Sequence, residues 1–346
     1  MRHKSIKIFI NYFLGPLLFI WLSWSIYREI KQQRDLDKAW QHILEAFRGP
    51  LLWNLAAVIV LMFINWAIEA FKWKLAIRAI QQVSFAKAFR AVLSGVSFSV
   101  STPNRMGEYL GRILYMNEGN RLKAISLTIV CSMSQLIITL LAGSIGLMLL
   151  WNEIETVHIV SSVWMRFIIS GVVIVLVTLT LFYFRLNWLV KWGTRIPAIR
   201  RYNYLIKTLE DFNATRLLQL LSLSAIRFLV FIVQYYLLFS LFDVQIQWWQ
   251  AFWTVSISFL VLAVIPSFAI ADLGLRGKVA LTMIGLFSAN NLGIWMATMV
   301  IWLVNLIIPA IIGSLLILSI KRIFTNKNVS ANPGTYPNNL EGNAEK

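Results

Sequence analysis

The sequence predicts an all-α polytopic membrane protein with about six to eight transmembrane helices and two re-entrant helical hairpins. Composition, the lengths of the apolar runs and two interrupted, charged segments predict it. Of 346 residues, 58% are hydrophobic and 14% charged, and the mean hydropathy is +0.69. That balance leaves little chain for a soluble catalytic domain. The lone cysteine, Cys131, cannot form an intramolecular disulfide. His3, His42 and His158 lack metal-site spacing, so no cofactor is expected.

Apolar runs lie near 8–26, 51–71, 124–150, 163–184, 218–241, 249–270 and 294–320. Their length and sparse charge fit spanning helices. The first follows basic residues, but no small-residue cleavage site comes after it, so it reads as an uncleaved span. Residues 1–324 read as one membrane domain. The tail 325–346, rich in Asn, Gly and Pro, has no apolar face and reads as disordered. Trp40, Ile43, Leu44 and Phe47 follow the spacing of an interfacial amphipathic helix.

Loop charge sets the expected orientation, because Lys and Arg are retained on the cytoplasmic side. Residues 185–216 carry Arg185, Lys191, Arg195, Arg200, Arg201, Lys207 and Arg216, whereas 151–160 carry only Glu153 and Glu155 as charges. Both termini therefore read as cytoplasmic, in an inner (plasma) membrane. This places 27–50 outside despite its five Lys or Arg and four acids. The net charge of +17 is then explained by loops facing anionic headgroups, and nucleic acid is not an expected partner.

On this topology two segments must fold back, near 85–118 and 249–292. The first holds Thr102-Pro103-Asn104-Arg105-Met106-Gly107-Glu108-Tyr109-Leu110-Gly111-Arg112; the second runs from Pro266 through Asp272, Gly274, Arg276, Gly277 and Lys278. Pro103 and Pro266 break the helix, and Gly107 and Gly274 lie beside the charges. Gly107 and Gly111 also form a stripe that suits close helix packing. Opposed, interrupted helices in two halves of a chain are how transporters build a midplane site, so an inverted repeat is a working hypothesis.

Glu108 and Arg112, like Asp272 and Arg276, are four residues apart with the acid first, the better order for an ion pair. Structural ion pairs and ligand sites are both open readings. Arg105, Arg227 and Arg276 are the bases to watch. Arg227 lies deep in an apolar run with no acid on its own helix, so its partner is a ligand phosphate or else Glu108 or Asp272. Glu69, Lys72, Lys74 and Arg78 read as a helix end that snorkels to the lipid surface. The candidate binding residues are thus Arg105, Glu108, Arg112, Arg227, Asp272 and Arg276.

The first charged segment resembles the Pro-Gly-x-x-Gly-Glu-x-x-Arg signature of the lysylphosphatidylglycerol synthase transmembrane-region family, the flippase-like integral membrane proteins. The segment Pro266 to Arg276 is similar to that family's second element, and Arg227, Gln234-Tyr235, Asn305, Pro309 and Gly313 add to the likeness. The resemblance implies re-entrant helices and movement of an aminoacylated phosphatidylglycerol between leaflets. The expected ligand here is an anionic or amino-modified phospholipid or a polyprenyl-phosphate-linked lipid, with a lipid-modifying enzyme or a second copy as further partners. It does not carry over aminoacyl transfer, which in the family belongs to a separate soluble domain. Gly277 and Lys278 replace the acid expected after Arg276, which makes that site more positive. Val130-Cys131-Ser132-Met133-Ser134-Gln135 stand where the family suggests charges, so polarity there is limited to hydroxyl and amide groups. A membrane enzyme, or an accessory subunit of lipid-phosphate-dependent glycosyl transfer, is the alternative. No phosphate-cradling Gly-x4-Gly-Lys-Ser/Thr loop occurs in the chain.

Overall fold

A computed structural model describes residues 51–100, 102, 106–157, 161–185, 212–265 and 269–318, with isolated positions between 24 and 49. The described residues are helical, with no strand. Helix α1 is Leu52–Ile77, α2 Phe85–Val100, α3 Gly107–Ile113, α4 Arg121–Leu149, α5 Trp151–Thr156 and α6 Ser162–Phe184. Helix α7 is Ala214–Leu241, α8 Trp248–Val264, α9 Ala269–Ile284 and α10 Asn291–Trp302. The last continues through a π-turn, Leu303–Ile307, to make one span ending at Leu318.

Five of these helices are long and apolar enough to cross a membrane: α1, α4 with the turn before it, α6, α7 and α10 with its continuation. The chain is therefore a multi-span membrane protein. Within the stretch 249–292, the apolar run near 249–270 supplies the 17-residue α8, one arm of a hairpin. Helix α8 ends at Val264, and α9, which begins at Ala269, packs back on it. Likewise α3 packs back on α2. The apolar run 8–26, the tail 325–346 and most of the basic loop 185–216 fall outside the described residues, as do Pro103, Arg105 and Pro266. Of the amphipathic stripe only Trp40 and Leu44 are described, both exposed.

The order of elements repeats. A long helix, a two-armed hairpin and a second long helix occur as α1, α2–α3, α4 and again as α7, α8–α9, α10. The packing repeats with it. Each first helix packs on the first arm of its own hairpin, and each second helix packs on the second arm. Helix α4 packs on α8, and the π-turn of α10 packs on α2, so each closing helix also reaches the opposite hairpin. Glycine makes both crossings close. A side chain at Gly146 would strike Ile257 of α8, and one at Gly313 would strike the Leu93 carbonyl of α2.

The two halves run in opposite directions. Asn54 near the start of α1 donates to the Leu237 carbonyl near the end of α7, and Lys72 near the end of α1 donates to Ser224 near the start of α7. These helices are therefore antiparallel. Each hairpin follows the C-terminal end of its first helix, so the two enter the bundle from opposite ends. This is the geometry of an inverted repeat.

Local chemistry holds the connections. Asn213 caps α7 by accepting from the Arg216 N–H, while the Tyr183 hydroxyl at the end of α6 donates to the Leu217 carbonyl at 2.8 Å. Asn290 caps α10 and also donates to the Phe242 and Asp243 carbonyls. Within α10, Pro309 has no N–H to give the Asn305 carbonyl, a physical reason for the helix to widen into a π-turn there. That turn carries Asn305 in the core, buried.

Candidate functional site

The first hairpin is shaped by small residues at its crossing. Any side chain at Gly111 would strike the backbone of Ser94 and Gly95, so α3 lies directly against α2. Thr102 starts the second arm: its hydroxyl accepts from the Gly107 N–H at 2.6 Å and donates to the Phe98 carbonyl at 3.1 Å. Gly107 itself is pressed on the Phe98 carbonyl. This packing turns one face of α3, with Glu108 and Arg112, toward α1.

There the two residues form the ion pair that their spacing predicts. Arg112 does not stop at Glu108. The same Nη2 also donates to Glu69 of α1 at 2.8 Å. Glu69 in turn takes Lys72 at 2.9 Å and Arg227 of α7. One buried carboxylate thus collects three cations from three helices. The snorkelling expected of Glu69 and Lys72 is corrected here: both are buried, because α4 and α7 close over the end of α1. Arg227, for which a ligand phosphate or else Glu108 or Asp272 was expected, meets Glu69 in the structure.

Hydroxyl and amide groups surround the charges. Lys72 Nζ donates to the Cys131 carbonyl at 3.3 Å and to Ser224 Oγ at 3.2 Å, and Ser224 meets Ser134 at 2.8 Å. Of these groups, the Ser134 hydroxyl is the side chain that α4 supplies. Arg227 Nε donates to Asn65 Oδ1 at 2.8 Å, and its guanidinium lies over the Trp66 ring, 5.6 Å from the centroid. From Asn65 an amide chain runs on: Asn65 donates to Asn305, Asn305 to Gln234, and Gln234 to the Val58 carbonyl. These amides join α1, α7 and α10 through a buried polar seam.

The cluster is not balanced. Among the described residues, three cations, Lys72, Arg112 and Arg227, face two acids, Glu69 and Glu108, which leaves one positive charge in excess. Arg112 is fully buried, yet its Nε and Nη1 have no hydrogen-bond partner among the described residues, and neither has Trp66 Nε1. Unused guanidinium donors in an apolar bundle are costly unless an anion answers them.

The second hairpin carries the other predicted pair. Arg276 Nε donates to Asp272 Oδ2 at 2.8 Å, and Gly274 between them is buried. The pair lies within electrostatic reach of the Tyr235 hydroxyl on α7. Phe259 of α8 seals the junction by packing edge-on against Phe228, Phe231 and Tyr235. The structure therefore brings Glu108, Arg112 and Arg227 together and keeps Asp272 and Arg276 in the opposite hairpin.

Sequence reasoning missed Glu69, Lys72 and Asn65. The usable signal was an acid at Glu69 eight residues before the end of a 26-residue span, further in than snorkelling needs. No curated protein matches the chain. Residues 11–313 match the family model described as Lysylphosphatidylglycerol synthase TM region. With most of its length matched, the chain belongs to that family of membrane proteins.

Proposed function

We propose that the protein is a flippase-like translocase that moves the headgroup of a phospholipid or lipid-linked intermediate between leaflets, with the phosphate held by the Arg112 cluster. The observation that carries this reading is the buried Arg112 guanidinium, with two unpartnered nitrogens in a cluster of net positive charge. Guanidinium forks suit phosphate oxygens. Family membership supports a lipid-related role.

The two hairpins serve as stations on opposite sides of the α1–α7 crossing. Arg227 and Tyr235 are eight residues apart on one helix, about 12 Å along its axis at 1.5 Å per residue. The seam Asn65–Asn305–Gln234 lies between them and closes the path at rest. A headgroup leaving Arg112 lets Glu108 restore its pair, and arrival at Arg276 displaces Asp272. Acyl chains stay in lipid throughout, and rocking of the hairpins exposes each station in turn. Loop charge favours cytoplasmic termini, and the location that goes with this reading is the plasma membrane.

Reconstitution into vesicles with a fluorescent phosphatidylglycerol tests this. The wild type should expose inner-leaflet label to an outside quencher, and Arg112→Gln should fall to the rate of protein-free vesicles while remaining folded. Equal rates for wild type and empty vesicles, across both phosphatidylglycerol and polyprenyl-phosphate probes, would remove the transport reading.

A further inference from the structure

We infer that Glu69 sets the charge of the ligand, making the Arg112 site selective for a phosphate with one negative charge, a diester, over a doubly charged monoester. This inference rests on the transport reading above and names its substrate class. It follows from how differently the two acids of the cluster are held.

Glu69 is the fixed acid. Its side chain is 5% exposed and both oxygens are used, Oε1 by Arg112 and Oε2 by Lys72 and Arg227. No small movement frees it. Glu108 is the outer acid: its side chain is 27% exposed, and among the described residues it pairs with Arg112. An incoming anion therefore meets a site whose inner carboxylate is spoken for three times over.

The charge count then decides the ligand. With both acids ionised the described cluster carries three positive and two negative charges. One added negative charge brings the buried group to neutrality. Two would leave a net negative charge in the bundle, and none leaves the positive excess; either residue is costly in low dielectric. A phosphate diester carries one charge, while a monoester carries nearly two above its second pKa of about 6. Hydrogen-bonding shape does not separate the two, since both offer oxygens to Arg112 Nε and Nη1. Charge does. Glycerophospholipid diesters and polyprenyl phosphosugars share this chemistry.

Other polar groups lie outside the selectivity. The amide seam is uncharged, and the Asp272–Arg276 pair is separate from the count. Substitutions there should alter rate without altering the choice between ester classes. Only the five charged residues of the cluster should change that choice, and in a direction fixed by the sign of the change.

The test is a ratio measured in one preparation. Vesicles at pH 8 carry labelled phosphatidylglycerol, labelled phosphatidic acid or a labelled polyprenyl phosphosugar, and the rate for each is recorded for wild type, Glu69→Gln and Lys72→Met. The wild type should move both diesters faster than the monoester by about tenfold. Glu69→Gln raises the cluster charge by one and should reverse that ratio. Lys72→Met lowers it by one and should widen the ratio while slowing the monoester most. Should Glu69→Gln fail to fold, Lys72→Met still reads the sign. A parallel fall for all probes, or an unchanged ratio in folded variants, overturns the inference while transport stands. No transport of any probe by the wild type overturns the transport reading instead. A preference confined to one of the two diesters contradicts the charge account, because their phosphates carry the same charge.

Discussion

The two hairpins are alike in construction and unlike in wiring. Each has two short helical arms, a break that the sequence marks with proline, an acid and an arginine four residues apart on the second arm, and a glycine-seated helix from the other half. In the first, the arginine reaches past its own acid to Glu69 and joins Lys72 and Arg227. In the second, Arg276 pairs with Asp272 beside a tyrosine. Shared scaffolding with separate chemistry shows that repetition supplies the opposed hairpins, while the cluster depends on residues contributed by the crossing helices. A fold can therefore be symmetric while its candidate site is not.

The largest expected effect contrasts the two acids. Glu69→Leu removes a carboxylate that joins three cations, and breaking such a buried set costs about 3–5 kcal/mol. Asp272→Leu strands Arg276, whose side chain is 16% exposed and so better placed to recover solvent; its cost should be nearer 1–3 kcal/mol, as for a lost charged hydrogen bond. Thermal unfolding in detergent checks both. A greater loss for Asp272→Leu would break the contrast between the hairpins.

The fold was legible where charge and helix breaks could be counted together. Proline beside an acid–arginine pair inside apolar sequence marked both hairpins, and the parity of basic loops required each to return to its starting face. The rest was hidden for definite reasons. Glu69 and Lys72, three apart near a helix end, match an ordinary surface pair, and only the closure of α4 and α7 over them makes them interior. Asn65, Gln234 and Asn305 carry no charge and come from three distant helices, so no local spacing links them. The pairing Glu108–Arg112 was visible because it is local; the reach of Arg112 to Glu69 spans 43 residues.

A smaller effect sharpens the symmetry. Gly146→Leu and Gly313→Leu each push a side chain into the opposite hairpin, and overpacking of this kind costs about 1–3 kcal/mol. Because the crossings correspond in the two halves, their losses in unfolding temperature should be similar. The more intimate one, Gly313 on the Leu93 backbone, should suffer slightly more, since backbone cannot turn aside as the Ile257 side chain can. A neutral result for either would mean that its crossing is not a tight contact, and the correspondence would fail there.

The central claim is that the first hairpin, and not the second, holds the anion at rest. Native mass spectrometry of the purified protein tests it most directly, by comparing bound lipid in the wild type, Arg112→Gln and Arg276→Gln. The account predicts a phosphate-bearing lipid on the wild type that is lost from Arg112→Gln and kept by Arg276→Gln. Retention by Arg112→Gln, or loss from Arg276→Gln alone, would contradict it.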